Sequence, residues 1–521
     1  MNSSTGRTCR FAGLIPGWLT IALALPLIAT RDIPDERTPA ASPVDYVISP
    51  RTQRGSLRAV RIAVRFRANA DGRTVFGWTS QWAGEKQLWR WVRNLRFSGA
   101  ERAIPLGKGR YLIRSRPRAI LHARYDIVSA YSGMPGVTAA RQARPIILPD
   151  RFYVVGETLF GRPEGRPHSS VTLLWNAEST GFKLATDLPT RRAAMDVSEA
   201  RTLDDLTDSI LVGGRGLSLV NASVRAPAQV AMIGRFAFSP AALAKLSSRI
   251  VRAERDFWHQ RDDGAYLVSA VGLPAVTDVT GFTGIGRRNG FALWIDSRMP
   301  LADIRTLLAH EYFHHWNGRS LGSLNEQNQA AEFWFTEGFT DYYARALLVR
   351  NGVLSPEEFA EAWNTVFTAY AYSKAKYVGN SRAAPLFWSN EEFQQLPYQR
   401  GAILAALWNR KLRKASAGKL GIDDVLRSQR RIAKRSALTP GALFSEVAKD
   451  LGFDPRGDIN RYIDSAAPIP LPVDTFGACS RLSYRQQAPE GRPDQDADKT
   501  ASFHLTIIKR SSECSRTLSG L

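Results

Sequence analysis

The stretch HEYFHHWNG at residues 310–318 concentrates side chains that bind metal ions and transfer protons. On an α-helix, positions i and i+4 lie one turn apart on the same face, so His310 and His314 can direct their imidazoles at one point. Glu311 follows at about 100° of rotation, beside that point. A zinc hydrolase needs two neutral imidazoles for the ion and an adjacent carboxylate that takes a proton from the activated water. The spacing predicts such a site, and the alternative is a helix whose histidines cap or pack.

A candidate third ligand follows in the stretch WFTEGFTDYY, which contains Glu337 and, one helical turn later, Asp341. A catalytic zinc ion needs a third protein ligand and an open fourth position. We predict that Glu337 completes the ligand set of a single zinc ion. Asp341 is the predicted hydrogen-bond acceptor for the outer nitrogen of a ligating histidine. The alternative for Glu337 is an exposed acid at the start of a helix.

The two motifs, HEYFHHWN and WFTEGFTDYY, resemble those of the glycyl-aminopeptidase family of gluzincin metallopeptidases, whose catalytic core is thermolysin-like. The segment TGFKLATDLP at residues 180–189 is similar to part of the family's N-terminal β domain. The segment LPYQRGAILAALWNRKLR at residues 396–413 is similar to the tyrosine helix shared with the large zinc aminopeptidases. The resemblance covers roughly residues 45–465, and the joint match is far more specific than a lone HExxH motif.

The resemblance implies a role for each matching residue. His310, His314 and Glu337 match the family's zinc ligands, and Glu311 matches its general base. Tyr398 matches the phenol that hydrogen-bonds the oxyanion of the tetrahedral intermediate, where a donor aimed at developing charge lowers the barrier. Without the resemblance, Tyr398 is an ordinary amphipathic side chain. The implied function is hydrolysis of peptide bonds in peptide or protein substrates.

The stretch TGIGRRNGFALW at residues 283–294 departs from the family pattern. The family carries a Gly-x-x-Glu-type segment here, whose acid binds the free ammonium group of the substrate. Gly286 occupies the position of that acid, and Arg287 and Arg288 follow it. Because the acid is missing and two positively charged arginines follow its position, we predict that the protein recognises a free, positively charged substrate N-terminus more weakly than the family does. The two arginines are predicted to contact an acidic side chain or a carboxylate of the substrate.

The substrate backbone is expected to add as a strand to the strand candidate 290–295, which makes Gly290 and Phe291 predicted substrate-binding residues. The main alternative function is that of a catalytically inactive peptidase-fold binding protein of the cell envelope. Loss of a ligand or of the base would favour this alternative, and the sequence retains all of them.

The elements that position these residues change character along the chain. From about residue 45 to 225 apolar and polar residues alternate, as in AVRIAVRFR, which predicts antiparallel strands. After about residue 230 the periodicity is helical, with helices predicted from Pro300 to about Asn317 and from Phe333 to Arg350. We predict a multidomain α+β protein with an N-terminal antiparallel β domain at 31–225, a thermolysin-like zinc catalytic domain at 226–350, a helical C-terminal part at 351–470 and a tail at 471–521.

The formal net charge of +22 raises the question of a polyanionic partner. The basic residues are mostly arginines that are scattered along the chain and alternate with apolar residues, which is typical of solvated strand faces. We therefore predict no nucleic-acid partner. Weak association with an anionic membrane surface remains an alternative role for this charge. The sequence makes no prediction of the oligomeric state.

The first thirty residues predict the compartment. Arg7 and Arg10 precede the apolar run 18–29, which is too short for a comfortable membrane span. A secretory signal peptide over residues 1–30 is the prediction, with an uncleaved membrane anchor as the alternative. Cys479 and Cys514 can pair in an exported protein and would then link the C-terminal tail, unless both remain free thiols.

Overall fold

The computed structural model describes residues 18–19, 43–137, 139–177, 180–191, 194–200, 202–221, 228–260, 264–275, 280–325, 327–487, 500–509 and 514. Apart from the two-residue strand β1 (Trp18–Leu19), the predicted signal peptide lies outside the described residues. Within the described part of the chain, no helix is both long enough and apolar enough to cross a membrane.

The first half of the chain folds into β-sheets, as the alternating sequence predicts. Along β3 (Ser56–Arg67) the apolar Val60, Ile62, Val64 and Phe66 are buried, while the arginines between them face outward or lie at the edge of the core. The other strands of this half are β2 (Val44–Gln53), β4 (Arg73–Gly77), β5 (Gln81–Trp82), β6 (Glu85–Lys86), β7 (Val92–Ser98), β8 (Arg102–Gly107), β9 (Arg110–Arg114), β10 (Ile120–Ile127), β11 (Ile146–Leu148), β12 (Arg151–Val155), β13 (Arg162–Pro163), β14 (Val171–Trp175), β15 (Lys183–Thr186), β16 (Thr190–Arg191), β17 (Ala194–Ala200) and β18 (Ile210–Gly214).

These strands form a seven-stranded sheet in the order β16-β17-β14-β2-β3-β10-β7, two four-stranded sheets in the orders β11-β12-β18-β15 and β13-β4-β9-β8, and the hairpin β5-β6. All pairings are antiparallel except that of β14 with β2. Two short helices, α1 (Gly156–Leu159) and α2 (Leu203–Thr207), and a 3-10 helix (Leu88–Trp91) lie between the strands.

A six-stranded mixed sheet supports the candidate site. Its order is β1-β22-β23-β21-β20-β19, with β19 (Ser218–Asn221), β20 (Ala228–Ile233), β21 (Tyr266–Leu273), β22 (Phe282–Gly286) and β23 (Gly290–Asp296). One face packs against the sheet that contains β12, where Tyr153 and Trp294 have ring centroids 4.3 Å apart. The opposite face carries Phe291 and packs on the helix of the HExxH motif. This sheet therefore separates the N-terminal strands from the candidate catalytic helices.

Helices dominate the second half of the chain. They are α3 (Pro240–Phe257), α4 (Arg305–Phe313), α5 (Gln329–Arg350), α6 (Pro356–Tyr372), α7 (Asn380–Ala383), α8 (Glu391–Ala415), α9 (Ile422–Ala433), α10 (Pro440–Asp450) and α11 (Arg456–Asp458), with 3-10 helices at Leu301–Ile304, Lys374–Tyr377 and Ala384–Leu386 and a π-helical segment at Ile459–Asp464. A multidomain fold with antiparallel sheets followed by helices is thus confirmed, whereas the predicted domain limits stay predictions.

Both predicted helices differ in extent from the observed ones, and α5 begins at Gln329 rather than at Phe333. The helix expected over 300–317 is divided into a 3-10 segment, α4 and a series of turns, and Gly318 ends it with a φ of 98°. Helix α8, which contains the segment 396–413, begins at Glu391, where the Asn390 side chain accepts from the main-chain N–H groups of the first turn. Pro397 lies inside this helix, which accommodates the loss of one backbone hydrogen bond.

The C-terminal tail forms a hairpin of β24 (Ser480–Gln487) and β25 (Thr500–Ile507). The Asn364 side chain of α6 both donates to and accepts from the main chain of Leu505, which attaches the hairpin to the helices. Cys479 and Cys514 form a disulfide with their Cα atoms 5.4 Å apart. The pairing that the sequence allowed is confirmed, and it closes the tail onto the buried core.

Candidate active site

Three candidate ligand side chains converge between α4 and α5. The Nε2 atoms of His310 and His314 lie 2.9 Å apart, and Oε2 of Glu337 lies 3.3 Å and 3.2 Å from them. All three side chains are buried. Tetrahedral zinc with bonds of about 2.0–2.2 Å separates its ligand atoms by roughly 3.4 Å. The donor types and spacing therefore fit three corners of a zinc site, as HExxH followed by a distant glutamate predicts.

Acceptors behind the imidazoles orient both rings. Nδ1 of His310 lies 3.4 Å from Oδ1 of Asp341, whose other oxygen pairs with Arg345 at 2.6 Å. Nδ1 of His314 lies 3.1 Å from the main-chain oxygen of Asn317. A proton on each Nδ1, directed at these oxygens, leaves both Nε2 lone pairs for a metal ion. Asp341 thus lies where the sequence predicts a hydrogen-bond acceptor for a ligand.

The electrostatics of the cluster favour positive charge at the point of convergence. Burial acts to lower the pKa of His310, but Asp341 and Glu337 outweigh it and raise this pKa to about 10. Burial acts to raise the pKa of Glu337, whereas the charges and hydrogen bonds of His314 and His310 lower it to about 2. A divalent cation at this point would be attracted by the same two carboxylates, those of Glu337 and Asp341.

Glu311 lies beside the three candidate ligands and faces the strand β22. A Cβ atom built on Gly286 would lie 2.8 Å from Oε2 of Glu311, so the carboxylate packs directly against this glycine. Burial raises the pKa of Glu311 to about 8, and the nearby His310 acts against that rise. A carboxylate whose pKa is raised by burial is suited to accept a proton and return it.

Tyr398 borders the cluster from the second turn of α8. Its ring stacks on His310 with 5.6 Å between centroids and an interplanar angle of 25°. Burial raises the pKa of Tyr398, and the carboxylates of Glu337 and Glu311 add to the rise. The phenol therefore keeps its proton and remains a hydrogen-bond donor. Tyr398 as a whole residue is partly exposed, whereas its hydroxyl lies in the buried part of the cluster beside Glu337.

Arg287 corrects the prediction that both arginines of the β22–β23 turn contact substrate. Its side chain is fully buried, pairs with Glu157 and, at 3.1 Å, with Asp208, and lies 4.0 Å from the ring centroid of Trp82. The buried guanidinium is held by carboxylates on α1 and directly after α2, so it joins these two short helices of the N-terminal half to the turn. Arg288 is half-exposed, and its Nη1 lies 3.2 Å from Asp205.

The strand expected to receive substrate is also corrected. Gly290–Asp296 is the strand β23, but it is paired on one side with β21 and on the other with β22, so it has no free edge. Phe291 belongs to the buried core, and Gly290 packs against Asp187. The strand near the edge is β22, whose outer side, within the described part of the chain, pairs with the two-residue strand β1 alone. Gly286 ends β22 beside Glu311, so β22 is the strand that lies against the candidate base.

Asn317 is a site residue that the sequence did not single out. Its Nδ2 donates to Thr336 O, Phe335 O and Thr340 Oγ1 at 3.0, 3.3 and 3.0 Å. These bonds attach the turn after α4 to the part of α5 that carries Glu337. The only signal in the sequence was a polar residue directly before Gly318, the glycine that ends the helix, and such a residue is common at helix ends and does not by itself indicate a role.

Comparisons with known proteins agree with this geometry. Residues 303–386, which include α4 and α5, match the family model described as M61 glycyl aminopeptidase. The fold is similar to that of an aminopeptidase N family protein from Idiomarina loihiensis, with a TM-score of 0.72 and 18% identity over 87% of this chain and 80% of that chain. No curated protein matches the chain.

Two further structures show weaker similarity. An M1 zinc metallopeptidase from Deinococcus radiodurans has a TM-score of 0.48 and 15% identity over 83% of this chain and 96% of that one. Leukotriene A4 hydrolase from Saccharomyces cerevisiae has a TM-score of 0.48 and 13% identity over 83% and 69%. The predicted resemblance to the glycyl-aminopeptidase family of gluzincin peptidases is confirmed by the match over the two candidate ligand helices.

Proposed function

We propose that this chain is a zinc metallopeptidase in which His310, His314 and Glu337 hold a single zinc ion. The observation that carries the proposal is the convergence of these three side chains, with Glu311 and Tyr398 beside them. A bound zinc ion supplies a Lewis acid that promotes deprotonation of water and polarises the substrate carbonyl. The family match over residues 303–386 supports the same reaction class.

The side chains of the chain perform the proton transfers and the charge stabilisation. Glu311 takes a proton from the attacking water and delivers it to the leaving amine nitrogen as the C–N bond breaks. Tyr398 donates a hydrogen bond to the carbonyl oxygen of the substrate as negative charge develops there. The raised pKa of the phenol favours this role, because only the protonated form can donate. Asp341 keeps the His310 ring in the orientation that presents Nε2.

The substrate class follows from the charges around β22. The acid that binds a free ammonium group in the family is replaced by Gly286, and three acids near the β22–β23 turn, Glu157, Asp208 and Asp205, are paired with arginines. Arg287 pairs with Glu157 and Asp208, and Arg288 pairs with Asp205. We therefore propose that hydrolysis does not require a free N-terminus, and that the chain accepts N-blocked peptides or internal peptide bonds.

Export is part of the proposal. The support is the positively charged start, the short apolar run 18–29 and the disulfide between Cys479 and Cys514, since disulfides persist in oxidising compartments. A periplasmic or extracellular peptidase would meet peptides and unfolded proteins as substrates.

Hydrolysis of a matched pair of peptides tests this function. One peptide has a free N-terminus and the other is N-acetylated, and each is incubated with the zinc-loaded protein, with chelator-treated protein and after zinc is restored. Cleavage products are identified by mass spectrometry. We expect both peptides to be cleaved with kcat/KM values within about tenfold of each other, because no strong ion pair to the ammonium is lost on acetylation. Chelation should abolish cleavage, and zinc should restore it.

The outcomes separate the parts of the proposal. Cleavage of the free peptide alone would contradict the proposed substrate class while supporting a zinc peptidase. Binding of peptides by zinc-loaded protein without cleavage, across a diverse peptide library, would contradict the enzyme and favour a binding protein with a peptidase fold.

A further inference from the structure

Helices α5 and α8 cross at two glycines that face each other, Gly338 and Gly401. Both are buried. A Cβ atom on Gly338 would lie 2.7 Å from the Gly401 carbonyl carbon and 2.8 Å from the Pro397 oxygen. A Cβ atom on Gly401 would lie 2.7 Å from the Gly338 Cα and would overlap the carbonyl oxygen of Trp334. Because side chains at a helix contact set the distance between helix axes, only glycine permits this backbone separation.

The crossing lies between two residues of the proposed site. Glu337 directly precedes Gly338, and Tyr398 precedes Gly401 by three positions, about one helical turn. The phenol of Tyr398 interacts with the Glu337 carboxylate, and its ring stacks on His310. The separation of the two backbones therefore determines how far the Tyr398 hydroxyl stands from the proposed metal ligands.

Glycine is unfavourable inside helices, since it gives the unfolded chain extra freedom and contributes no side chain to packing. The surrounding residues of α5 are bulky and apolar, as in the run FWFTEGFTDYY. A wider crossing would still allow such residues to bury their surface, but it would withdraw Tyr398 from Glu337. The close approach is thus best explained by the placement of the tyrosine.

We propose that Gly338 and Gly401 are positioning residues, which hold α8 close enough to α5 for Tyr398 to reach the reacting carbonyl oxygen. This inference rests on the proposed function, because it concerns the placement of its oxyanion donor. According to this inference, the proposed reaction depends on two glycines that have no side-chain functional group.

A double-mutant cycle tests the proposal. Gly401→Ala and Gly338→Ala are each made in the wild-type chain and in Tyr398→Phe, and kcat, KM and zinc affinity by chelator competition are measured. In the wild-type background each glycine variant should lower kcat by about 10–100-fold, the loss that follows from a shift of about 1 Å. KM and zinc affinity should stay within about threefold, since neither substitution replaces a side chain that is proposed to bind zinc. In the Tyr398→Phe background the same substitutions should lower kcat by less than about twofold.

Gly441→Ala is the matched control. Its Cβ would lie 2.7 Å from the Trp334 ring, so it also disturbs packing on α5, but it lies on α10 and not on α8. We expect this variant to keep kcat within about twofold of the wild type after correction for the folded fraction. If Gly401→Ala does not fold, a crystal structure of Gly338→Ala provides a second measurement, in which the distance from the Tyr398 hydroxyl to the Glu337 carboxylate should increase.

Equal losses of kcat in the wild-type and Tyr398→Phe backgrounds would overturn the inference while leaving the proposed role of Tyr398 intact. An unchanged hydroxyl-to-carboxylate distance in Gly338→Ala would also overturn it. A fully active Tyr398→Phe variant would instead contradict the proposed function at its oxyanion donor, and the inference would fail with it.

Discussion

Glu311→Gln is expected to lower kcat by about 10²–10⁴-fold while zinc binding is retained, because an amide of the same shape cannot accept a proton. Glu311 is buried against Gly286 and does not belong to the three-residue ligand cluster. The substitution should therefore leave the metal geometry in place and remove only proton transfer. Steady-state hydrolysis of the N-acetylated peptide, with zinc content measured on the same sample, gives both quantities.

Glu332→Gln is a suitable control for this experiment. Glu332 is an acid in the first turn of α5, and it accepts hydrogen bonds from Thr439 and from the main chain of Gly441, away from the cluster. Its amide variant should keep kcat within about threefold, as expected for a substitution away from the reacting groups. A Glu311→Gln enzyme with kcat within tenfold of the wild type would remove Glu311 from the mechanism.

Glu337→Ala is expected to weaken zinc binding by about 10²–10⁴-fold, because a zinc-binding free energy on the order of the roughly 10–16 kcal/mol found for protein zinc sites is divided among three protein ligands. The loss follows from the removal of one of three converging donors, whose oxygen lies 3.3 Å and 3.2 Å from the two imidazole nitrogens. Activity at limiting zinc should fall in parallel. Competition with a chromophoric chelator measures the affinity directly.

Asp341→Asn is the comparison variant for Glu337→Ala. The Asp341 carboxylate contacts Nδ1 of His310, the ring nitrogen that does not face the proposed ion, and Asp341 is not itself one of the three ligands. Its replacement should therefore weaken zinc binding by only about 10–100-fold. The order of effects distinguishes a ligand from the residue that orients a ligand. Zinc affinity that is lower in Asp341→Asn than in Glu337→Ala would reverse the two assignments.

The metal cluster could be predicted from the sequence because its information is local. The i, i+4 spacing of His310 and His314 determines their shared face, and α4 adopts the helical geometry that this spacing requires. Glu337 and Asp341 lie one turn apart on α5, so both follow once one of them is placed. His310 lies on α4 and His314 directly follows it, while Glu337 and Asp341 lie on α5, so the cluster requires only two helices to be placed side by side.

The substrate side of the site could not be predicted in the same way. The apolar run at β23 indicated a strand, but periodicity does not distinguish a central strand from an edge strand, and β23 is buried on both faces. Arg287 stands in sequence beside the missing acid, and its actual partners, Glu157 and Asp208, lie 130 and 79 residues away. Long-range ion pairs of this kind leave no pattern near the arginine itself.

The close crossing of α5 and α8 could not be predicted from the sequence for a different reason. Gly338 and Gly401 interrupt two helical patterns, and a glycine inside a helix is compatible with a cost in stability alone or with a close approach. Only the relative placement of the two helices shows that each glycine occupies the space that a side chain of the other would need. Such information depends on the distance between elements, which the order of residues does not specify.

Anomalous diffraction at the zinc absorption edge, from crystals of the zinc-loaded protein, tests the central assignment most directly. We predict one strong anomalous peak with bonds of about 2.0–2.2 Å to Nε2 of His310, Nε2 of His314 and a carboxylate oxygen of Glu337. A zinc peak bound by other side chains, or a Glu337 carboxylate turned away from the ion, would contradict the assignment of the metal site and the mechanism that depends on it.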